Sequence, residues 1–261
     1  MVDLQETRAK IARGQETYCY LRNELEEFFA KSPVTFVLRE AQGDIGSYVI
    51  SAANVPTVPN RLLTLVSECL FHARSMFDLL AFALAEEYAP AYVLSNPRAI
   101  YFPVYSKESE YRQKRVQQFV GLLPPALTAE FLALQPFSTP ASSGVPIMAM
   151  IADLNNFDKH TRLHSLGLRA LALNPGLKFP AMQTTTVSNA VIEEGTIVAN
   201  MSGLLHGSVE GADFDIALGV VFSRQGALWS GADVSEIVGL ILNFAEDVID
   251  RFEILLTPRV E

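Results

Sequence analysis

Apolar residues recur at helical spacing over long stretches of the chain. In residues 3–30, Ile11, Leu21 and Phe28 fall on one face with charged residues between them, which predicts an amphipathic helix. Residues 60–88 are apolar around most of a helical circumference, a pattern typical of a central, buried helix. We therefore expect at least two long helices to build the core.

Three further helices are predicted between residues 107 and 172. The segment KESEYRQKRVQQFV (107–120) indicates an exposed, charged helix, and a short helix is expected at about 125–134. The apolar spacing after the loop at 138–146 predicts a helix over about 147–172.

Two regions have the β-branched, turn-bounded character of strands. TFVLRE (35–40) and SYVISA (47–52) flank the turn-like QGD (42–44) and predict a hairpin. Three or four antiparallel strands are expected within about 177–224. A closing helix is predicted over about 233–256, capped by Asp233 or Ser235, with an apolar stripe through Ile237, Leu240, Ile241, Phe244 and Val248.

The order of these elements predicts an α+β fold. We expect a central helical core with an N-terminal hairpin and a small C-terminal antiparallel sheet. The prediction is a single α+β domain over 1–261, with a helical part at about 1–173, strands at about 177–224 and the closing helix last.

Composition limits the classes of partner. Hydrophobic residues make up 49% of the chain, and a core of this size is compatible with a homodimer interface. The formal charge of −9 argues against broad nucleic-acid binding, which needs clustered Lys and Arg. No apolar run is long enough for a membrane span, and the N-terminus lacks an apolar signal segment, so a cytoplasmic protein is expected.

The candidate site comes from polar residues inside two apolar helices. Arg74 and Asp78 are four residues apart and share a helical face, and Asp158, Lys159 and His160 follow one another in the later helix. Because isolated buried charges are costly, each needs a partner. We predict that Arg74 meets Asp158, and that Asp78 meets His160 or Lys159. The first hypothesis is a non-enzymatic binding or structural protein with this interhelical polar clamp, and a small-molecule ligand on the same residues is a second use of it.

The alternative is a hydrolase or a HEPN-like nuclease. Asp78, Asp158 and His160 are the catalytic candidates, with His160 as acid–base and Arg74 or Lys159 stabilising an anion. A metal-assisted version would use Asp153, His160 and His164, since histidines at i and i+4 can hold one ion. No HEXXH pattern supports that version, and no cofactor is predicted. Cys19 and Cys69 have no metal or redox spacing, which favours buried thiols.

Four segments resemble a family of bacterial proteins with no established activity. They are CLFHARSMFDLLAFAL (69–84), YFPV (101–104), LQPF (134–137) and LNNFDKH (154–160). The most specific motifs of the resemblance are R-x3-D and LNNxDKH(R). This chain departs from them at Phe71, Leu79 and Thr161, where the family has histidine, histidine and arginine. The motifs are matched at Arg74, Asp78, Asp158, Lys159 and His160. The resemblance therefore implies a shared body and says little about the role, and the departures weaken a role for the family's histidines.

Overall fold

A computed structural model describes most of the chain. The described residues are 2–41, 47–113, 119–140, 144–160, 166–175, 184–187, 190–202, 214–223 and 231–257, with the side chains of 157–160, 173–175, 184–187, 202 and 214–215 outside the description.

The described residues form seven α-helices. They are α1 (Gln5–Lys31), α2 (Asn60–Tyr88), α3 (Pro90–Ser95), α4 (Glu108–Tyr111), α5 (Pro125–Ala133), α6 (Ile147–His160) and α7 (Val234–Leu256), with a 3-10 turn at Pro136–Ser138. The helices predicted at 3–30, 60–88 and 125–134 are confirmed to within two residues at each end.

Six strands form two antiparallel sheets. They are β1 (Thr35–Glu40), β2 (Tyr48–Ala53), β3 (Leu166–Pro175), β4 (Thr184–Val187), β5 (Ile197–Ser202) and β6 (Phe214–Phe222). One sheet has the order β1-β2-β5-β4, and the other pairs β3 with β6. The α+β class and the β1–β2 hairpin are confirmed, while the turn residues 42–44 lie outside the described residues. The hairpin is not a separate element, because β2 also pairs with the C-terminal strand β5.

The chain divides into two compact units. The first contains Met1–Leu21, Thr64–Leu163 and Ile237–Glu261 and is helical, and the second contains Arg22–Leu63 and His164–Glu236 and holds all six described strands. Both units combine segments that are distant in sequence. A single domain over 1–261 stays a prediction.

The helix predicted over 147–172 is wrong in its second half, and so is the helical part predicted to extend to 173. Helix α6 ends at His160, and residues 166–175 form β3. Leu168 and Ala170 are buried, whereas Leu171 is 44% exposed, which is a period-two pattern. Leucine and alanine favour helix by propensity, but antiparallel pairing with β6 outweighs that preference here.

The exposed helix predicted over 107–120 is also wrong in part. Helix α4 covers only Glu108–Tyr111, and residues 112 and 113 are not helical, while residues 114–118 lie outside the described residues. Tyr111, Phe119 and Val120 are buried. These three residues belong to the buried core, whereas residues 107–109, 112 and 113 are exposed, as predicted.

Helix α7 begins where the sequence indicates. The backbone N–H of Glu236 donates to Asp233 Oδ1 at 3.0 Å, so Asp233 caps the helix. Ile241 and Val248 of the predicted stripe are buried, but Leu240 is exposed. The buried face is turned away from Leu240 and runs through Val234, Val238, Ile241, Leu242, Ala245, Val248, Ile249 and Phe252.

An aromatic cluster forms the centre of the helical unit. The Phe102 ring stacks on Phe131 with centroids 4.8 Å apart and meets the edge of Phe77 at 5.1 Å. Phe131 in turn contacts Phe252 of α7 at 5.5 Å. All four rings are fully buried, so α2, α5 and α7 pack around Phe102, which belongs to no helix.

We expect Phe102→Ala to lower the free energy of unfolding by about 3–5 kcal/mol, because it empties the centre of this cluster. Phe71→Ala is the matched control, since the Phe71 ring is largely exposed and contacts Lys10 at 5.0 Å. The control should cost less than about 1 kcal/mol. Chemical denaturation of both variants measures the difference, and equal losses would contradict this account of the core.

Candidate binding site

Residues 101–105, with the sequence YFPVY, lie in the connection between α3 and α4. They belong to no helix or strand, and Phe102 and Pro103 are buried. Buried backbone N–H and C=O groups need hydrogen-bond partners, and here no neighbouring strand supplies them. The partners are side chains.

Arg74 and Asp78 of α2 hold the backbone of Phe102. Arg74 Nη2 donates to the Phe102 carbonyl at 2.9 Å, and the Phe102 N–H donates to Asp78 Oδ1 at 2.9 Å. The two side chains also pair with each other, with Arg74 Nη2 2.8 Å from Asp78 Oδ1. One i,i+4 ion pair thus satisfies both backbone groups of a buried residue.

Gln135 holds the other half of the segment. Its side chain is fully buried, and its Nε2 donates to the Pro103 carbonyl at 2.9 Å and to the Phe131 carbonyl at 3.0 Å. Its Oε1 accepts from the Tyr105 N–H at 3.0 Å. Together with the ion pair, Gln135 fixes the course of the segment past α2 and α5.

A cavity of about 360 Å³ lies beside this segment. Its described lining comprises Arg74, Asp78, Tyr101, Phe102, Val104, Tyr105, Ala152, Asn155 and Asn156. Positions 152, 155 and 156 of α6 share a helical face, because they are three and four residues apart. The volume falls within the range of small-molecule sites.

The Arg74–Asp78 ion pair uses only part of its hydrogen-bonding capacity within the described structure. Both hydrogen bonds of Arg74 to described residues use Nη2, and both of those to Asp78 use Oδ1. Nε and Nη1 of Arg74 and Oδ2 of Asp78 form no hydrogen bond with another described residue. The Arg74 side chain is 13% exposed and that of Asp78 34% exposed, so the pair is partly open to solvent. The two residues can serve the backbone and a bound molecule at once.

The predicted cluster is brought together only in part by what the structure describes. Arg74 and Asp78 meet, as their spacing predicts. The backbone of Asp158, Lys159 and His160 lies in the last turn of α6, but their side chains are outside the description. The contacts predicted for them with Arg74 and Asp78 therefore stay predictions, as do the hydrolase, the nuclease and the catalytic roles.

The metal-assisted version is likewise untested. Asp153 is half-buried on α6, His164 lies outside the described residues, and the His160 side chain is not described. Within the described ranges, no group of three His, Cys, Asp or Glu side chains could hold a metal ion.

Apart from Arg74 and Asp78, the described residues of the site were not predicted from the sequence. Among them, Tyr101, Gln135, Asn155 and Asn156 lie within the segments quoted for the family resemblance. An available signal was the apolar YFPV run, which is too short for a helix and lacks a neighbouring strand. A buried segment of that kind requires side-chain amides or charges as hydrogen-bond partners.

Another cavity, of about 540 Å³, lies between the start of α1 and the end of α7. It is lined by Val2, Leu4, Arg8, Glu253 and Leu256, among others. Arg8 is already paired with Glu253 and Asp250, and these carboxylates raise its pKa. Its charge is therefore neutralised within the fold.

His72 lies on the opposite side of α2 from the ion pair, in a half-buried position. Its Nδ1 is buried without a hydrogen-bond partner among the described residues. Burial, followed by repulsion from Lys10 and Arg13, lowers the pKa of His72, and Glu68 opposes the shift. The neutral imidazole is thus the form that the fold favours.

The two cysteine thiols differ in their exposure to solvent. Cys69 is buried as predicted, and its burial, helped by Glu68, raises its pKa to about 12. The prediction of a buried thiol is wrong for Cys19, which is exposed on α1. Helix α1 buries the face that contains Ile11, Leu21 and Phe28, and Cys19 falls outside it.

Comparison with known proteins adds no relative. Neither a scan against models of protein families nor searches of curated proteins and of solved structures found a match. The bacterial family suggested by the four quoted segments therefore stays a prediction. None of the helices in the described ranges is long and apolar enough to cross a membrane.

Asp78→Ala should lower the free energy of unfolding by about 1–3 kcal/mol, because the buried Phe102 N–H and the Arg74 guanidinium both lose their acceptor. The partial exposure of Asp78 keeps the loss below that of a fully buried pair. Glu108→Ala is the matched control, since Glu108 pairs with Arg112 at the same i,i+4 spacing but on the surface. Thermal melts of both proteins measure the effect, and an unchanged midpoint for Asp78→Ala would refute the clamp.

The free energy of unfolding should decrease at acidic pH, and protonation of His72 should cause part of that decrease. A folded-state pKa below the unfolded value of about 6.5 means that the unfolded chain binds the proton first. The stabilising contribution of neutral His72 is complete above about pH 6.5 and is lost as the pH falls through and below that value. His72→Gln should therefore lose less stability than the wild type between about pH 7.5 and 5. If the stabilities of the two proteins changed in the same way with pH, His72 would not contribute to the loss of stability in acid.

Proposed function

We propose that this chain is a non-enzymatic binding protein that takes a small polar molecule in the cavity beside Arg74 and Asp78. The proposal rests on one observation: only some of the hydrogen-bonding atoms of the ion pair are used within the fold. Nη2 and Oδ1 hold the Phe102 backbone, while Nε, Nη1 and Oδ2 have no partner among the described residues. A ligand that replaces water at these atoms would use groups that the fold has already positioned.

The surroundings of the pair support binding rather than a purely structural role. A clamp alone needs no cavity, yet Asn155 and Asn156 of α6 line the same space and add amide donors and acceptors. A cavity with a few convergent polar groups on rigid helices is a common form of ligand site. Preorganisation by the aromatic cluster reduces the ordering cost that binding would otherwise incur.

The described lining favours binding over catalysis. It contains one carboxylate, already accepting two hydrogen bonds, and no histidine or cysteine. An acid–base role would depend on His160, whose side chain is not described. The cytoplasmic location and the homodimer stay predictions beside this proposal.

Protein-detected NMR tests the proposal with four separate probes: acetamide, acetate, methylammonium and cyclohexanol. We expect at least one polar probe to shift the Arg74 Nε–H and the Asn155 and Asn156 side-chain amide signals in a saturable way. Asn156→Leu should abolish the shifts of the Arg74 and Asn155 signals by placing an apolar side chain in the cavity, while leaving the fold intact.

Asn243→Leu is the matched control, because Asn243 lies on an exposed face of α7 and does not line the cavity. It should bind as the wild type does. The proposal would be overturned if every probe left the cavity signals unmoved up to high millimolar concentration, or if Asn156→Leu and Asn243→Leu had equal effects.

A further inference from the structure

The cavity at Arg74 restricts the chemistry of its ligand, and this inference rests on the binding function proposed above. Arg74 and Asp78 are the only charged residues in its described lining, and they already form a 2.8 Å ion pair. Their charges cancel, so this lining offers no counter-charge to an ion. Transferring a charged ligand from water to such a site is costly without a counter-charge, and a neutral ligand is favoured.

Among the described residues, the unmatched atoms of the pair offer both hydrogen-bond donors and an acceptor to the cavity that the two residues line. Arg74 contributes N–H donors from a planar guanidinium, and Asp78 contributes an acceptor from a planar carboxylate. Hydrogen bonds to sp² oxygens prefer the plane of the group. The best complement is a planar edge with a carbonyl beside an N–H, which is the cis-amide edge of a lactam.

Aromatic residues flank this pair. The Tyr101 side chain lines the cavity and is nevertheless 48% exposed, so it lies at the mouth. Tyr105 lines the cavity from the other end of the same segment. Stacking on an aromatic ring suits flat unsaturated rings, and side-chain amides such as those of Asn155 and Asn156 recognise the edges of nucleobases.

We infer that the cavity binds a neutral, planar heterocycle with a lactam edge, of the kind found in uracil-type nucleobases. The carbonyl accepts from the guanidinium of Arg74, and the adjacent N–H donates to Oδ2 of Asp78. Tyr101 stacks on the ring at the mouth, and the asparagines of α6 bind its remaining polar groups.

Titration with three related rings tests the inference, with the NMR signals of Arg74 and the two asparagines as the readout. Uracil carries the lactam edge, 1,3-dimethyluracil has the same ring without N–H donors, and orotate is uracil with a carboxylate. We expect saturable binding of uracil and at least about tenfold weaker binding of dimethyluracil, since the site's acceptor is left unpaired. Orotate should bind no tighter than uracil.

Variants at Tyr101 test the stacking. Tyr101→Ala should weaken uracil binding about fivefold or more, and Tyr101→Phe should retain it. Tyr20→Ala is the matched control, because Tyr20 is similarly exposed but lies on α1 away from the cavity. Equal effects of Tyr101→Ala and Tyr20→Ala would contradict the stacking role.

The outcomes separate this inference from the function on which it rests. Equal binding of uracil and dimethyluracil, or tighter binding of orotate, would overturn the lactam edge. Binding of acetamide, acetate or methylammonium at the cavity without any binding of uracil would also overturn it, while the proposed binding function would stand. Failure of all these probes together would overturn both.

Discussion

The helical unit depends on side chains that hydrogen-bond the backbone of a buried segment. Residues 101–105 bring Phe102 into the centre of the aromatic cluster, and no sheet or helix satisfies the polar groups that go with it. Arg74, Asp78 and Gln135 do so instead. Because burial of an unpaired amide or carbonyl costs about 1–3 kcal/mol, these three side chains decide whether the segment can be buried at all.

The same arrangement explains why a polar cavity exists inside an apolar helical body. The charged pair projects from α2 to a buried carbonyl and a buried N–H, so charged groups line the cavity on a helix that is otherwise largely apolar. Only part of its hydrogen-bonding capacity is used on the backbone. Under the proposed function, structure and binding are two uses of one ion pair. Variants of Arg74 or Asp78 would then affect both, which is why Asn156 and Tyr101 are better probes of binding.

Much of the fold could be predicted from the sequence. Helical spacing gave α1, α2 and α5, and alternation with a turn gave the β1–β2 hairpin, because these patterns are local. β3 could not be found in this way, since its Leu and Ala residues suit a helix and only pairing with β6 makes it a strand. In the site, the i,i+4 spacing identified Arg74 and Asp78. Their partner, the Phe102 backbone 24 residues further on from Asp78, has no side-chain signal in the sequence.

Residue-resolved amide hydrogen exchange shows whether these side chains hold the buried segment. We expect the Phe102 and Tyr105 amides to be protected in the wild type, although they belong to no helix or strand. It further predicts that Asp78→Ala accelerates exchange chiefly at Phe102 and that Gln135→Leu does so chiefly at Tyr105, since each variant removes the acceptor of that amide. Rapid exchange of both amides in the wild type, or protection that neither variant alters, would contradict the account.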